Sequence, residues 1–213
     1  DIAFMSCRSF RVPGGAFEHS QALTSTKRAL ASIAQKRILL LDYSKWNVNS
    51  LCNSLKLSDL NILITDNKAP LELATKAAEK GIEIIGDIPI YVAFDSADTW
   101  ANPKLFQFDE ENLPTAVAGC PPDGFSATGQ LWGNPLYNWE YHKETGYTWW
   151  LERIAHCFRL YDVVRIDHFR GFDEYYAIPY GSKTAENGCW QPGPGMDLFN
   201  TINEKLGELK IIA

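Results

Sequence analysis

The pattern of apolar and polar positions divides the chain into two stretches with different rhythms. Up to about residue 85, short apolar runs alternate with stretches at helical spacing. Ile2–Ser6 is a predicted strand, and Ser25–Gln35 is a predicted helix behind a Ser/Thr start. The run Arg37-Ile-Leu-Leu-Leu-Asp42 is continuously apolar and closes on an acid, as a buried parallel strand does. Leu60-Asn-Ile-Leu-Ile-Thr-Asp66 repeats it. Leu71–Lys80 has helical spacing, Gly81 stops it, and Ile82–Gly86 is the next strand. This β-α-β rhythm predicts a parallel sheet covered by helices.

Beyond residue 86 the chain turns rich in aromatics, prolines and glycines, and six of its seven tryptophans lie there. Long irregular loops are predicted from Ala93 to about Glu140 and from Pro179 to Gly195. Between them come a helix at about Tyr147–Leu160 and a strand at Val163–Asp167. A last helix, Met196–Leu206, leads into a strand at Leu209–Ala213. Unstructured loops of such length inside a domain are usually functional.

Composition narrows the function classes. The 213 residues are 46% hydrophobic and 22% charged, with a formal net charge of −6, an ordinary profile for a globular protein. No Lys/Arg cluster matches a nucleic-acid footprint. The nearest set, Lys27, Arg28, Lys36 and Arg37, reads as the exposed face of a helix. Five scattered cysteines without a C-x-x-C pair fit a reducing compartment. No apolar stretch approaches the roughly 20 residues of a membrane span, and no signal segment opens the chain. A cytoplasmic location without membrane or DNA partners is expected, as is the absence of any cofactor or metal. Asp1 is not a natural start, so the chain reads as a piece of something longer.

The candidate chemistry sits at strand ends. Ile82-Glu-Ile-Ile-Gly-Asp87 and Val163-Val-Arg-Ile-Asp167 both finish in acids, where a parallel α/β barrel carries its catalytic groups. Asp87 reads equally as the cap of a following helix. Asp167 is flanked by Arg165 and His168. Arg165 falls on the same strand face, where a guanidinium can keep a carboxylate ionised and oriented. Trp132 lies in a Gly/Pro-rich loop, which favours a sugar-stacking surface. Trp149 and Trp150 read as core.

These residues carry a resemblance. Residues 82–213 resemble the middle of an amylomaltase, the 4-α-glucanotransferase also called disproportionating enzyme. The similar stretches are Gly86-Asp-Ile-Pro-Ile-Tyr-Val-Ala93, Asp95-Ser-Ala-Asp-Thr-Trp-Ala-Asn-Pro103 and Ala118-Gly-Cys-Pro-Pro-Asp123, then Thr128-Gly-Gln-Leu-Trp-Gly-Asn-Pro-Leu-Tyr137, Val164-Arg-Ile-Asp-His-Phe-Arg-Gly171 and Leu209-Lys-Ile-Ile-Ala213. The resemblance implies a (β/α)8 barrel that moves α-1,4-glucan segments with retention, through a nucleophilic carboxylate and an acid/base carboxyl about 5–5.5 Å apart. It implies Asp167 as nucleophile and Arg165 as the Arg that orients it. Asp87, Tyr91 and His168 are implied as substrate-binding residues, Trp132 as an acceptor-side platform, and Phe125 as part of a loop over the cleft. Gly124 stands where many members carry a larger residue, so no stacking is expected there. The family's acid/base Glu follows the position of Ala213, so little or no transferase activity is expected of these 213 residues as they stand.

Residues 1 to about 85 resemble instead the C-terminal effector domain of DeoR/GlpR-type repressors. The similar runs are Asp1-Ile-Ala-Phe-Met-Ser6, Thr26-Lys-Arg-Ala-Leu30, Ile38-Leu-Leu-Leu-Asp-Tyr-Ser-Lys45, Leu60–Asp66 and Leu73–Ile85. This resemblance implies a sensor of phosphorylated sugar, with Asp42, Ser44 and Lys45 at the effector pocket and Lys27 and Arg28 near it. The expected architecture is α/β: a partial Rossmann-like effector unit over 1–85, then a partial (β/α)8 barrel over 86–213, joined as a chimera at the strand Gly-Ile-Glu-Ile-Ile85.

Overall fold

The structure, a computed structural model, describes residues 1–66, 68 and 70–213, with side chains at all of these except 71, 74 and 78. In chain order its strands are β1 (Ile2–Ser6), β2 (Ser9–Arg11), β3 (Gly15–Glu18), β4 (Lys36–Leu41), β5 (Cys52–Leu55), β6 (Ile62–Asp66) and β7 (Glu83–Pro89). Then come β8 (Ala116–Cys120), β9 (Gln130–Pro135), β10 (Val163–Asp167), β11 (Glu174–Pro179), β12 (Cys189–Pro192) and β13 (Ile211–Ile212). The helices are α1 (Gln21–Ile33), α2 (Leu71–Ala78), α3 (Ala97–Ala101), α4 (Trp139–Glu144), α5 (Thr148–Cys157) and α6 (Met196–Leu206).

The chain divides into two compact units. The first comprises Asp1–Ile88, Ile154–Ile166 and Lys210–Ile212. It holds a six-stranded sheet in the order β1-β4-β6-β7-β10-β13. The β1–β4, β4–β6, β6–β7 and β10–β13 ladders are parallel, as the β-α-β rhythm predicts. Leu39, Leu63, Ile84, Val164 and Ile166 are buried almost completely, each worth about 1.5–3 kcal/mol in apolar transfer. Gly86 is required by packing, because a Cβ there would lie 2.1 Å from the Tyr161 ring. That ring sits against β7 and donates its hydroxyl to the Asp66 carbonyl at 2.9 Å. Asp162 clamps the start of β7, its carboxylate accepting from the Ile84 amide at 2.9 Å.

A small antiparallel sheet, β2-β3-β5, completes this unit beside α1. The helix begins at Gln21, earlier than its apolar spacing predicts, because the Ser20 hydroxyl caps it by accepting from the Leu23 amide. Two of the four basic residues assigned to one helix face are in fact on β4: Lys36 and Arg37 open that strand. Only Lys27 and Arg28 are helical.

The second unit comprises Pro89–Arg153 and Asp167–Leu209. Here the structure corrects the expectation of long irregular loops. Four short strands form an antiparallel sheet, β12-β11-β8-β9. Its pairings include Ala177↔Ala118 and Tyr176↔Trp190. Gly119 is in the middle of β8, where a Cβ would lie 2.1 Å from the Gln130 carbonyl oxygen. The core of this unit is aromatic. Trp150, Tyr137 and Phe172 are fully buried and stack edge-on at 5.1–5.5 Å. Trp150 is core as expected, whereas Trp149 is only half-buried, its indole N–H donating to Asp98 at 3.2 Å. The final strand is two residues rather than five.

Candidate functional site

Asp87 lies inside β7, and no helix follows it until α3, which Ser96 caps. The reading of Asp87 as a helix cap is therefore overturned. Its partner comes from β10: the Arg165 guanidinium donates to Asp87 Oδ1 at 2.8 Å. Both side chains are nearly half-exposed, so the pair fixes orientation more than it adds stability. Strand β10 ends at Asp167, which is exposed. The Asp167 carbonyl accepts from the Ile90 amide at 3.2 Å.

Within the second unit the segment that follows β7 is held tightly. Tyr137 donates its hydroxyl to the Ile90 carbonyl at 2.7 Å. Arg153 donates to the Pro89 carbonyl at 2.6 Å and to the Ile90 carbonyl at 3.2 Å. Its guanidinium also stands 5.0–5.2 Å from the Trp149 and Trp150 ring centres. The next residue, Tyr91, is thereby placed, with its ring 6.1 Å from Tyr137 in a stacked arrangement. Neither Tyr137 nor Arg153 was identified from sequence. Tyr137 closes one of the motifs quoted above, but a residue that only orients a backbone carbonyl leaves no spacing signal.

Three of the expected substrate-binding residues come together here. Trp132 and His168 meet edge to face at 4.7 Å, and Tyr91 lies 6.4 Å from Trp132 and 6.2 Å from His168. His168 takes a left-handed backbone with φ 56°, which turns the chain at once out of β10. Gly171 makes room for the group, since a Cβ there would approach Ile90, the Tyr91 hydroxyl and the His168 ring at 2.9–3.3 Å. Asn134 secures the other side by donating to the Val92 carbonyl at 2.9 Å.

The electrostatics favour neutral polar groups. Burial depresses the His168 pKa, opposed by the negative charge of Asp167 and reinforced by Arg170. The imidazole is therefore neutral at pH 7. Its Nε2 is buried without a hydrogen-bond partner among the described residues, an orphaned polar atom of the kind that calls for a functional explanation. Burial also pushes the Tyr91 hydroxyl far above its ordinary range, so it remains a neutral phenol. Ring faces with a few uncommitted polar tips suit a sugar, whose C–H faces stack while its hydroxyls need partners. Phe125 is not part of this group. It is fully exposed, on a turn where Asp123 Oδ1 accepts from the Phe125 and Ser126 amides at 2.8 Å. A Cβ at Gly124 would meet nothing within 4 Å.

The residues expected at an effector pocket are engaged with one another. Asp42 Oδ1 accepts from the Ser44 amide at 2.8 Å, and Lys45 stands 4.0 Å from the same carboxylate. The Ser44 hydrogen bonds, with Lys45 adding to them, hold the Asp42 carboxyl below the usual range. Lys27 is paired with Glu18, and Arg28 donates to the Asn53 and Ser54 carbonyls. A cavity of about 300 Å³ does carry three cations, Arg28, Arg37 and Lys56, beside one carboxylate, Asp59, but Asp42, Ser44 and Lys45 do not line it. Among the described residues no cluster of His, Cys, Asp and Glu has the form of a metal site, and no helix is long and apolar enough to cross a membrane.

Comparison with known proteins divides the chain in two. A family model described as 4-alpha-glucanotransferase matches residues 67–213. One described as DeoR C terminal sensor domain matches residues 1–67. The 4-alpha-glucanotransferase of Streptococcus pneumoniae is 58% identical over 143 residues, covering 67% of this chain and 28% of the relative. That of Clostridium butyricum is 57% identical over 138 residues, or 64% of this chain and 28% of the relative. Among solved structures, the amylomaltase from Streptococcus agalactiae in complex with acarbose aligns with a TM-score of 0.65 at 55% identity, over 67% of this chain and 29% of that one. The amylomaltase from Corynebacterium glutamicum shares the fold at 22% identity, with a TM-score of 0.56 over 62% of this chain and 18% of that one. The chain thus spans about 28% of the length of the curated relatives it matches.

Proposed function

This chain belongs to the 4-α-glucanotransferase family, and from that premise we propose that its residues from 86 onward bind α-1,4-glucan and carry the attacking carboxylate of a retaining transfer. Asp167 is the nucleophile in this reading. Its oxygen attacks the anomeric carbon as the bond to the leaving group breaks, giving a glycosyl-enzyme ester that an acceptor hydroxyl then opens. Arg165 orients the carboxylates beside it. Asp87, Tyr91 and His168 bind sugar hydroxyls, Trp132 stacks an acceptor-side ring, and Phe125 rides on a loop over the bound chain. The observation that carries the reading is the Tyr91–Trp132–His168 group, with its neutral, unsatisfied imidazole nitrogen. The ion pair of Asp87 with Arg165 within the parallel sheet is a second observation in its favour.

The nucleophile is testable without reference to any proton donor. In α-maltosyl fluoride the C1–F bond breaks without protonation, and fluoride leaves as Asp167 forms the new C1–O bond. Intact mass spectrometry of the 213-residue chain should show one added maltosyl group, mapped to the peptide containing Asp167 and missing from Asp167→Asn. An adduct on any other residue, or an equal yield in the variant, sinks the assignment.

A second reading concerns residues 1–85, for which the three-cation cavity beside Arg28 is the supporting observation. Clustered guanidinium and ammonium groups suit a phosphorylated sugar. On this reading the chain is a chimera of effector domain and barrel, whose two matched stretches meet at residue 67, ahead of β7 rather than within it. Thermal shifts with glycerol phosphate and hexose phosphates test it, and a melting temperature indifferent to all of them counts against it.

A further inference from the structure

The second unit has a cavity of about 630 Å³ that shares no residue with the group just described. Its wall is built on α3 and the turns around it: Phe94, Asp95, Ser96, Trp100, Phe108 and Asn112 are among the lining residues. Trp100 is 87% exposed and Phe94 is 42% exposed. An indole left that open is unusual, since tryptophan is highly buried on average. Around it stand polar groups with nothing to do. The Asp95 carboxylate, the Asn112 side-chain amide and the Trp100 indole N–H make no hydrogen bond among the described residues.

The platform is rigid despite its exposure. Ser96 Oγ accepts from the Thr99 amide at 3.4 Å and caps α3. Thr99 is buried and donates its hydroxyl to the Phe94 carbonyl at 2.7 Å. Asp98 accepts from the Trp149 indole at 3.2 Å, tying the helix to α5. Phe94 and Phe108 meet edge to face at 5.9 Å beneath. An aromatic face on an anchored helix, ringed by a free carboxylate and a free side-chain amide in a cavity of ligand size, has the chemistry that recognises a pyranose ring.

We propose that this cavity is a second α-glucan-binding site, in which Trp100 stacks a glucose unit while Asp95 and Asn112 accept from and donate to its hydroxyls. The proposal rests on the α-glucan reading above for the identity of the sugar. A polymeric substrate makes such a site useful, because a chain held at two points binds with an avidity that neither point supplies alone.

The test titrates the whole chain with maltoheptaose, following the tryptophan indole N–H resonances and the binding stoichiometry. Two classes of site are expected. Trp100→Ala should weaken one class about tenfold or more, with the melting temperature unchanged because the side chain is exposed. Trp132→Ala should weaken the other. Asn112→Ala is the second probe of the new site and should lower its affinity without touching the Trp132-dependent class. If Trp100→Ala and Asn112→Ala both bind maltoheptaose with the stoichiometry and affinity of the parent, the proposal is overturned. Loss in Trp100→Ala with no effect of Trp132→Ala would uphold this site and instead remove support from the catalytic reading.

Discussion

His142 is buried completely in α4, surrounded by the rings of Tyr137, Trp139 and Trp149. Its Nε2 lies 3.2 Å from the Leu105 carbonyl, which assigns the ring proton to that nitrogen, and Nδ1 has no partner among the described residues. Burial lowers its pKa to about 4, with the Leu105 hydrogen bond opposing. The unfolded chain therefore binds a proton near pH 6.5 that the folded chain refuses until about pH 4. The stabilisation is complete above 6.5 and disappears as pH falls toward 4, on the order of 3 kcal/mol across that window. Melting temperatures measured from pH 7 to 4 should fall more steeply for the parent than for His142→Gln, and parallel slopes would refute the assignment. Nothing in the sequence marks this histidine, because its role depends on how the Tyr137, Trp139 and Trp149 rings and the distant Leu105 carbonyl close around it. Asp167 is the opposite case: a strand ending in Arg-Ile-Asp-His is legible without a structure. The partner of Asp87 was not legible, since Arg165 lies 78 residues away along the chain.

At the scale of elements, the buried parallel strands were readable because their apolar runs are continuous. Strand β10 and helix α6 have the predicted limits. The antiparallel strands β8, β9, β11 and β12 were not readable. Ala-Val-Ala-Gly-Cys and Gln-Leu-Trp-Gly-Asn-Pro lack alternation, and their glycines and prolines signal loops, whereas here Gly119 permits close approach of neighbouring backbone. Strand β7 carries a similar dependence on a missing side chain. Gly86→Ala should force the Tyr161 ring away and cost on the order of 2–3 kcal/mol. Urea denaturation measures this, and Tyr161→Ala in the same background should recover part of the loss. A Gly86→Ala chain as stable as its parent would show that the ring moves freely.

On the scale of the whole molecule, the six-stranded sheet is a joint construction. Strands β1, β4 and β6 come from the stretch that matches the DeoR sensor domain, and β7, β10 and β13 from the stretch that matches 4-α-glucanotransferases. Leu39 and Leu63 on one side and Ile84 on the other align across β4, β6 and β7 in one buried layer. Residues 67–213 expressed alone should therefore be destabilised and prone to association, because removal of β6 bares the edge of β7. Size-exclusion chromatography and urea midpoints of that piece against the full chain decide the matter, and equal stability would mean that the layer is dispensable.

The ladder between β6 and β7 runs from Ile62↔Glu83 to Asp66↔Asp87 and is made entirely of backbone amides and carbonyls. Such a seam is indifferent to ancestry, for it demands only compatible direction, pleat and small apolar neighbours. A strand of this kind works like a standard thread between parts of different make. The seam at which the two matched stretches adjoin in this sheet is thus one where the polypeptide asks least of the particular side chains on either side, and exchange of sequence there costs the sheet little.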